Sequence, residues 1–153
     1  MRFTWLYPLA LACAGTAGAA DISVSGQWSK VVTRNDLNAG AGSDLTSPIE
    51  SSSATATLDI TNTAGASWLV RVASSEIDWP PGASVAVRRS GSQCGIDGGM
   101  TYVMLSGAAQ NFFSGTGDCL GIEIQLSVSG LSIHTAPSPY TLLITYSVQS
   151  PAL

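Results

Sequence analysis

The sequence predicts an all-β protein: an immunoglobulin-like two-sheet antiparallel sandwich with Greek-key connections and eight or nine short strands. Three observations carry this expectation. Apolar residues alternate with polar ones at period two, Gly- and Pro-rich turns recur at short intervals, and helical spacing of apolar residues is never sustained.

The amino terminus stands apart from this pattern. Arg2 precedes an apolar stretch from Phe3 to Ala14 and a small-residue tail from Gly15 to Ala20. That order is expected of a signal peptide over residues 1–20, cut after Ala19 or Ala20. The apolar run is shorter than the roughly 20 residues a membrane span needs, and Pro8 interrupts it. Cys13 supports a second reading, a lipid anchor with cleavage in front of the cysteine, although Ala10 stands where such signals usually carry Leu. Removing residues 1 to 20 from 153 leaves 133, the size of one domain over 21–153.

From Asp21 onward the elements follow in order. The first strand is expected at 22–33, where Ile22 and Val24 lead to Trp28 on one face. A long loop rich in Gly, Ser, Asp and Asn runs from Arg34 to Ser53. Leu58 and Ile60 against Asp59 and Thr61 mark a strand at 54–61, ended by Asn62-Thr63-Ala64-Gly65. Trp68, Val70 and Val72 around Arg71 mark 67–74, and Pro80-Pro81-Gly82 separates it from 84–90. Asp97-Gly98-Gly99 precedes 100–105, and Asn111-Phe112-Phe113-Ser114 marks 110–114. After Gly115-Thr116-Gly117-Asp118, Ile122, Ile124, Leu126 and Val128 mark 120–129. Leu131 and Ile133 mark 131–135, and beyond Pro137-Ser138-Pro139 the alternation of Tyr140, Leu142, Ile144, Tyr146 and Val148 marks 140–149.

Six Lys plus Arg stand against ten Asp plus Glu, a formal net charge of -4. The chain therefore offers no positive face to neutralise phosphates, which argues against nucleic acid and anionic membranes as partners. Two cysteines follow the leader, Cys94 and Cys119, and an oxidising compartment would pair them. The expected location is periplasmic, cell-surface or extracellular. A disulfide needs Cα atoms within about 7 Å, whereas one strand carries the chain roughly 17 Å, so an outward crossing at 100–105 needs a return at Asn111-Phe112-Phe113-Ser114. Two free thiols are the alternative, and two cysteines are too few for a zinc site.

No set of residues for catalysis is expected, and no cofactor. The only His is His134, whose alternation with Leu131 and Ile133 places it on a solvent face, and no G-x-S-x-G elbow exists to hold a nucleophile. Glu76 and Asp78 share one strand face, whereas glycosidase carboxylates normally come from different elements. The Gly-rich loop carries Asp36, Asn38 and Asp44, oxygen ligands of the kind calcium takes. Ser47 stands where an EF-hand carries its bidentate Glu, and turn chemistry explains the same residues. Among Trp28, Trp68, Trp79 and Tyr102, which could stack on sugar rings, Trp79 before Pro80-Pro81 is the one expected to be exposed, with Trp28 and Trp68 on core-facing positions.

The elements Leu58-Asp59-Ile60-Thr61-Asn62-Thr63, Trp68-x-Val70-x-Val72, Trp79-Pro80-x-Gly82, Val87-Arg88-Arg89, Phe112-Phe113-Ser114-Gly115-x-Gly117-Asp118 and Tyr140 to Val148 together resemble small exported β-sandwich proteins of bacteria. The resemblance spans most of residues 22–149 and transfers no catalytic residue. More remotely, the closing strand Tyr140 to Val148 looks like the last strand of fimbrial and spore-coat-like pilin domains. That resemblance implies partners joined by strand addition, with Asp21 to Trp28 as a possible donated strand, the chain's own first strand being the alternative. The expected function is an exported cell-surface or extracellular structural subunit, in a fimbria-like assembly, acting through protein partners or self-association. The alternative is a carbohydrate- or calcium-dependent binding module using Trp79 and the Asp36 to Asp44 loop.

Overall fold

The computed structural model describes residues 2–4, 20–77 and 79–150. Most of the expected leader, residues 1 and 5–19 with Cys13 among them, lies outside the described residues, as does Asp78. The strands in chain order are β1 (Arg2–Thr4), β2 (Asp21–Gly26), β3 (Ser29–Val31), β4 (Ile49–Glu50), β5 (Ala56–Thr61), β6 (Ser67–Ile77), β7 (Ser84–Arg89), β8 (Asp97–Gly98), β9 (Val103–Met104), β10 (Gln110–Thr116), β11 (Cys119–Ser129) and β12 (Thr141–Gln149).

They form two antiparallel sheets. The first runs β2-β5-β11-β7-β9, with β4 pairing the far end of β11, and the second runs β12-β6-β10-β8. β1 pairs with β3 apart from both sheets. The alternating apolar residues face each other across one layer: Leu58, Ile60, Val85, Val87, Ile122, Ile124, Leu126 and Val128 from the first sheet meet Trp68, Val70, Val72, Phe113, Leu142, Ile144 and Tyr146 from the second. The expected two-sheet antiparallel sandwich is therefore present. Its strand order is its own. Counting only the strands of six residues or more, the first sheet holds the first, second, sixth and fourth, and the second holds the seventh, third and fifth. Immunoglobulin constant domains have the fifth strand in the first sheet and run the second as third, sixth and seventh, whereas here the sixth joins the first sheet and the third lies between the seventh and the fifth in the second.

Two bulges shift the period-two pattern. Between Asn111 and Phe113 the pairing of β10 with β6 slips by one residue, and Phe112 and Phe113 both turn inward, 6% and 2% exposed. Between Cys119 and Ile122 the pairing of β11 with β5 slips as well, with Gly121 at φ 69° and its N–H donating to Asp59 Oδ1 at 2.7 Å. The second slip lets Cys119 and Ile122, which lie on opposite parities, both face the core.

Three expected strands differ. Residues 131–135 form a turn, because Ser132 N–H donates to Thr135 Oγ1 and Ile133 N–H to Asp44 Oδ1, which takes these donors away from any sheet ladder. The strand expected at 100–105 shrinks to Val103–Met104, since Gly98 and Gly99 adopt left-handed backbone that ends β8 and turns the chain. The strand expected at 22–33 is likewise interrupted at Gln27 and Trp28 into β2 and β3.

Packing of β10 on β6 is close enough to require a glycine. A Cβ at Gly115 would lie 2.5 Å from Trp68 Cζ2, and the indole cannot retreat because its Nε1–H donates to Gly117 O at 2.7 Å. Gly115→Ala is expected to lower stability by about 1–3 kcal/mol in chemical denaturation, and Gly107→Ala, whose added carbon would meet only Ser74 O at 3.9 Å, is expected to be near neutral.

Candidate functional site

The side of the sandwich bounded by β8 and β9 is held by a covalent bond and by a buried cation hydrogen-bonded to backbone carbonyls. Cys94 and Cys119 form the disulfide expected from the sequence, Cα to Cα 5.8 Å across 25 residues. It fastens the single turn at Gln93–Gly95 to the first residue of β11. Beneath that turn lies Arg89, the inward-facing last residue of β7, 3% exposed. Its guanidinium donates to Gly91 O, to Ile96 O at 3.1 Å and to Gly98 O at 3.0 Å from Nη2 and 3.3 Å from Nε. Burial pulls the guanidinium pKa down and Asp97 works against that. The carbonyl dipoles thus take the place of the lost water, and the loop is folded around the cation.

The expected calcium ligands have other engagements. Asp36 closes a capping box with Thr33, whose N–H donates to it at 2.8 Å, and pairs with Lys30 Nζ at 2.6 Å. Burial works to raise the Asp36 pKa, but Lys30 and Thr33 outweigh it and hold the carboxyl below the ordinary range. Asp44 accepts from Leu45 N–H at 2.8 Å, Ile133 N–H at 3.0 Å and Ser132 Oγ at 3.3 Å, fastening the long loop to the 131–135 turn. The backbone donors of Leu45 and Ile133 lower its pKa most. Asn38 is exposed and gives its backbone N–H to Asp44 O at 2.8 Å. Among the described residues no group of three or more His, Cys, Asp or Glu could hold a metal ion.

The aromatics are distributed along the fold. Trp79, in the β6–β7 connection, is half-buried against the core, and its Nε1–H donates to Ala83 O at 3.0 Å. Trp28, between β2 and β3, packs partly against the core, and Trp68 sits within it, edge-on to Phe113 at 6.1 Å. His134 is exposed in the turn after Leu131. Glu76 lies in β6 opposite Leu142.

A polar cluster unmarked by any sequence motif covers the outer face of the first sheet. Arg88 Nε and Nη2 donate to Gln125 Oε1 at 2.9 and 2.7 Å, and Gln125 Nε2 donates to Ser51 O at 2.9 Å. The Tyr102 ring lies over the Arg88 guanidinium at 4.9 Å. Burial raises the Tyr102 pKa and Glu50 adds to the effect. Arg88 takes the Gln125 oxygen and Ser51 O takes its nitrogen, so this amide is hydrogen-bonded at both ends although it is 7% exposed on an outer sheet face.

The two sides of the sandwich end differently. On one, β8 and β9 are edge strands of two residues each, shortened by Gly98 and Gly99 and tied down through Arg89 and the disulfide. On the other, β12 is, among the described residues, a nine-residue edge that pairs with β6 from Thr141 to Gln149 without a register shift. Its sequence, TLLITYSVQ, contains no charge, proline or glycine. The six-residue edge β2 runs beside it in the facing sheet, paired to β5 along its whole length. Arg2–Thr4 approaches β12 without pairing with it. Long uncharged edges are the ones that accept another strand, and short, glycine-broken ones do not.

No protein-family model, curated protein or solved structure matches the chain. Among the described residues no helix is long and apolar enough to cross a membrane.

Cys94→Ala and Cys119→Ala are expected to lower the denaturant midpoint equally, each by the equivalent of roughly 3–4 kcal/mol, with the double variant no worse than either. Acid acts through the three lowered carboxyls, Asp36, Asp44 and Asp118. Because each folded-state pKa lies below its unfolded value near 4, their stabilisation is complete above that value and is lost as pH falls through the folded one. Denaturation at pH 6 and at successively lower pH should show a loss that begins below about pH 4. Asp44→Asn is expected to flatten that dependence.

Proposed function

We propose that the protein is an exported, non-enzymatic structural subunit of the cell surface or extracellular space, which joins other protein chains by strand addition. The observation that carries this reading is the asymmetry of the edges: one side of the sandwich is shortened and bonded closed, and the other presents β12. The disulfide suits an oxidising compartment, in line with a cleaved leader. The pairing of β2 with β5 supports Asp21–Gly26 as the chain's own first strand, so the addition is to an edge and not by donation of that strand. A fimbria-like row is the open-ended form of such a contact and a closed pair is its finite form.

Sedimentation of the purified protein over a wide concentration range, with electron microscopy of the producing cells, tests the proposal. Assembly beyond the monomer mass is expected. A strict monomer at the highest concentrations, on cells bearing no surface structures, would overturn it.

A further inference from the structure

We infer that the partner at the β12 edge is a second copy of this chain, bound antiparallel about a two-fold axis centred on Thr145, so that the second sheets of two copies join into one. This rests on the strand-addition reading above and names its partner and register.

The face pattern limits the register. In β12 the buried residues are Leu142, Ile144 and Tyr146, with Val148 partly buried on the same parity, and the others face outward. Two copies keep their apolar faces on the same side of a joined sheet only when the two-fold axis passes through a residue, because a centre between residues pairs an inward position with an outward one. Of the centres allowed, Thr145 gives the longest overlap, the full strand Thr141–Gln149.

In that register Leu142 stands opposite Val148 and Ile144 opposite Tyr146 on the inner face. Thr141 meets Gln149, Leu143 meets Ser147 and Thr145 meets its own copy on the outer face, where Thr–Thr is a favourable cross-strand pair. A self-pairing strand brings a charge close to the same charge on its copy wherever that charge lies near the axis. β12 carries none, in a chain whose net charge is -4. The neighbouring edge β2 carries one carboxylate, Asp21, at its end, and Asn62 Nδ2 donates to it at 2.6 Å. Of these two edge strands only β2 therefore carries a charge, whereas the β8 and β9 side offers two-residue strands with too few backbone groups to pair. A two-fold contact uses the same edge twice and closes, so the product is a dimer that itself serves as the building block.

Site-directed cross-linking tests the register. Thr145 is exposed, so Thr145→Cys leaves the core intact. Across the axis its Cα lies about 4.5–5.5 Å from its copy, inside the range a disulfide spans. Ser147 and its copy are four positions apart along the strand, about 13 Å, beyond that range. Under mild oxidation Thr145→Cys is expected to become a covalent dimer and Ser147→Cys to remain uncoupled. Thr145→Lys places two ammonium groups at the axis and is expected to halve the sedimenting mass with an unchanged far-ultraviolet spectrum. If Thr145→Cys fails to fold, the double variant Thr141→Cys/Gln149→Cys reads the same register from its ends.

Equal coupling of both single variants, coupling of neither, or a Thr145→Lys protein that stays dimeric would each overturn the β12 pairing. A Thr145→Lys protein that stays assembled through another surface overturns this pairing and leaves the structural-subunit reading standing. A wild-type protein that is monomeric throughout overturns the pairing, and bare cells in addition remove the functional reading with it.

Discussion

The sandwich depends on one carboxylate at the tightest crossing between its sheets. Gly117 and Asp118 alone carry the chain from β10 in the second sheet to β11 in the first. Beside them the chain makes the reverse crossing, from β5 to β6, through Asn62 to Ala66. Asp118 joins the two by accepting Thr63 N–H at 3.0 Å and the Thr63 hydroxyl at 2.6 Å, while Gly117 N–H donates to Ala66 O at 3.1 Å. Thr63 is 1% exposed, so its donors have no water to turn to and the carboxylate satisfies them. Those same donors lower the Asp118 pKa. Trp68 adds its indole N–H to Gly117 O from within the core, and Cys119 follows immediately as the disulfide partner. A two-residue link more often closes a hairpin within one sheet; here it crosses between sheets, with the Thr63 and Ala66 contacts holding the two crossings side by side.

Much of the fold is legible in the sequence wherever one rule holds along a whole segment. The alternation in β5, β6, β7 and β12 predicts both the strands and the residues that face inward, because the extra residue of each slipped pairing sits on β10 or β11 and not on these strands. The pattern fails where an extra residue enters. Phe112-Phe113 and the stretch from Cys119 to Ile122 place adjacent or opposite-parity residues inward, which a period of two forbids and a bulge permits. Residues 131–135 look like a strand, with Leu131 correctly buried, but a carboxylate from Asp44 far upstream takes the Ile133 N–H. No local pattern announces such a donor-acceptor pair.

The same division holds for the site residues. The disulfide is legible because two cysteines allow one pairing and the strand geometry between them permits it. The loop carboxylates are legible as oxygen ligands, while the partners that occupy them, Lys30, Thr33 and the Ile133 N–H, are matters of tertiary placement. Arg88 and Arg89 are consecutive and identical in chemistry. Strand parity sends the first to an outer-face amide and the second into the core, where carbonyls of its own loop surround it. Gln125 and Ser51 carry no signal of burial by type, and their contacts with each other join segments 74 residues apart.

The disulfide also has a direction. Cys94 is exposed on its turn, whereas Cys119 is 1% exposed at the start of β11. An attacking thiolate reaches the outer residue of the pair, and the sulfur that must then depart as an anion belongs to the one embedded among apolar side chains. A thiolate is poorly solvated among apolar side chains, so the inner sulfur is a reluctant leaving group in the displacement itself, and exchange is slowed there and not by lack of access. The mixed disulfide formed on Cys94 then has a competitor held beside it, since Cys119 regains its partner unless the turn unfolds. The bond is kept intact by where its inner half would have to carry charge.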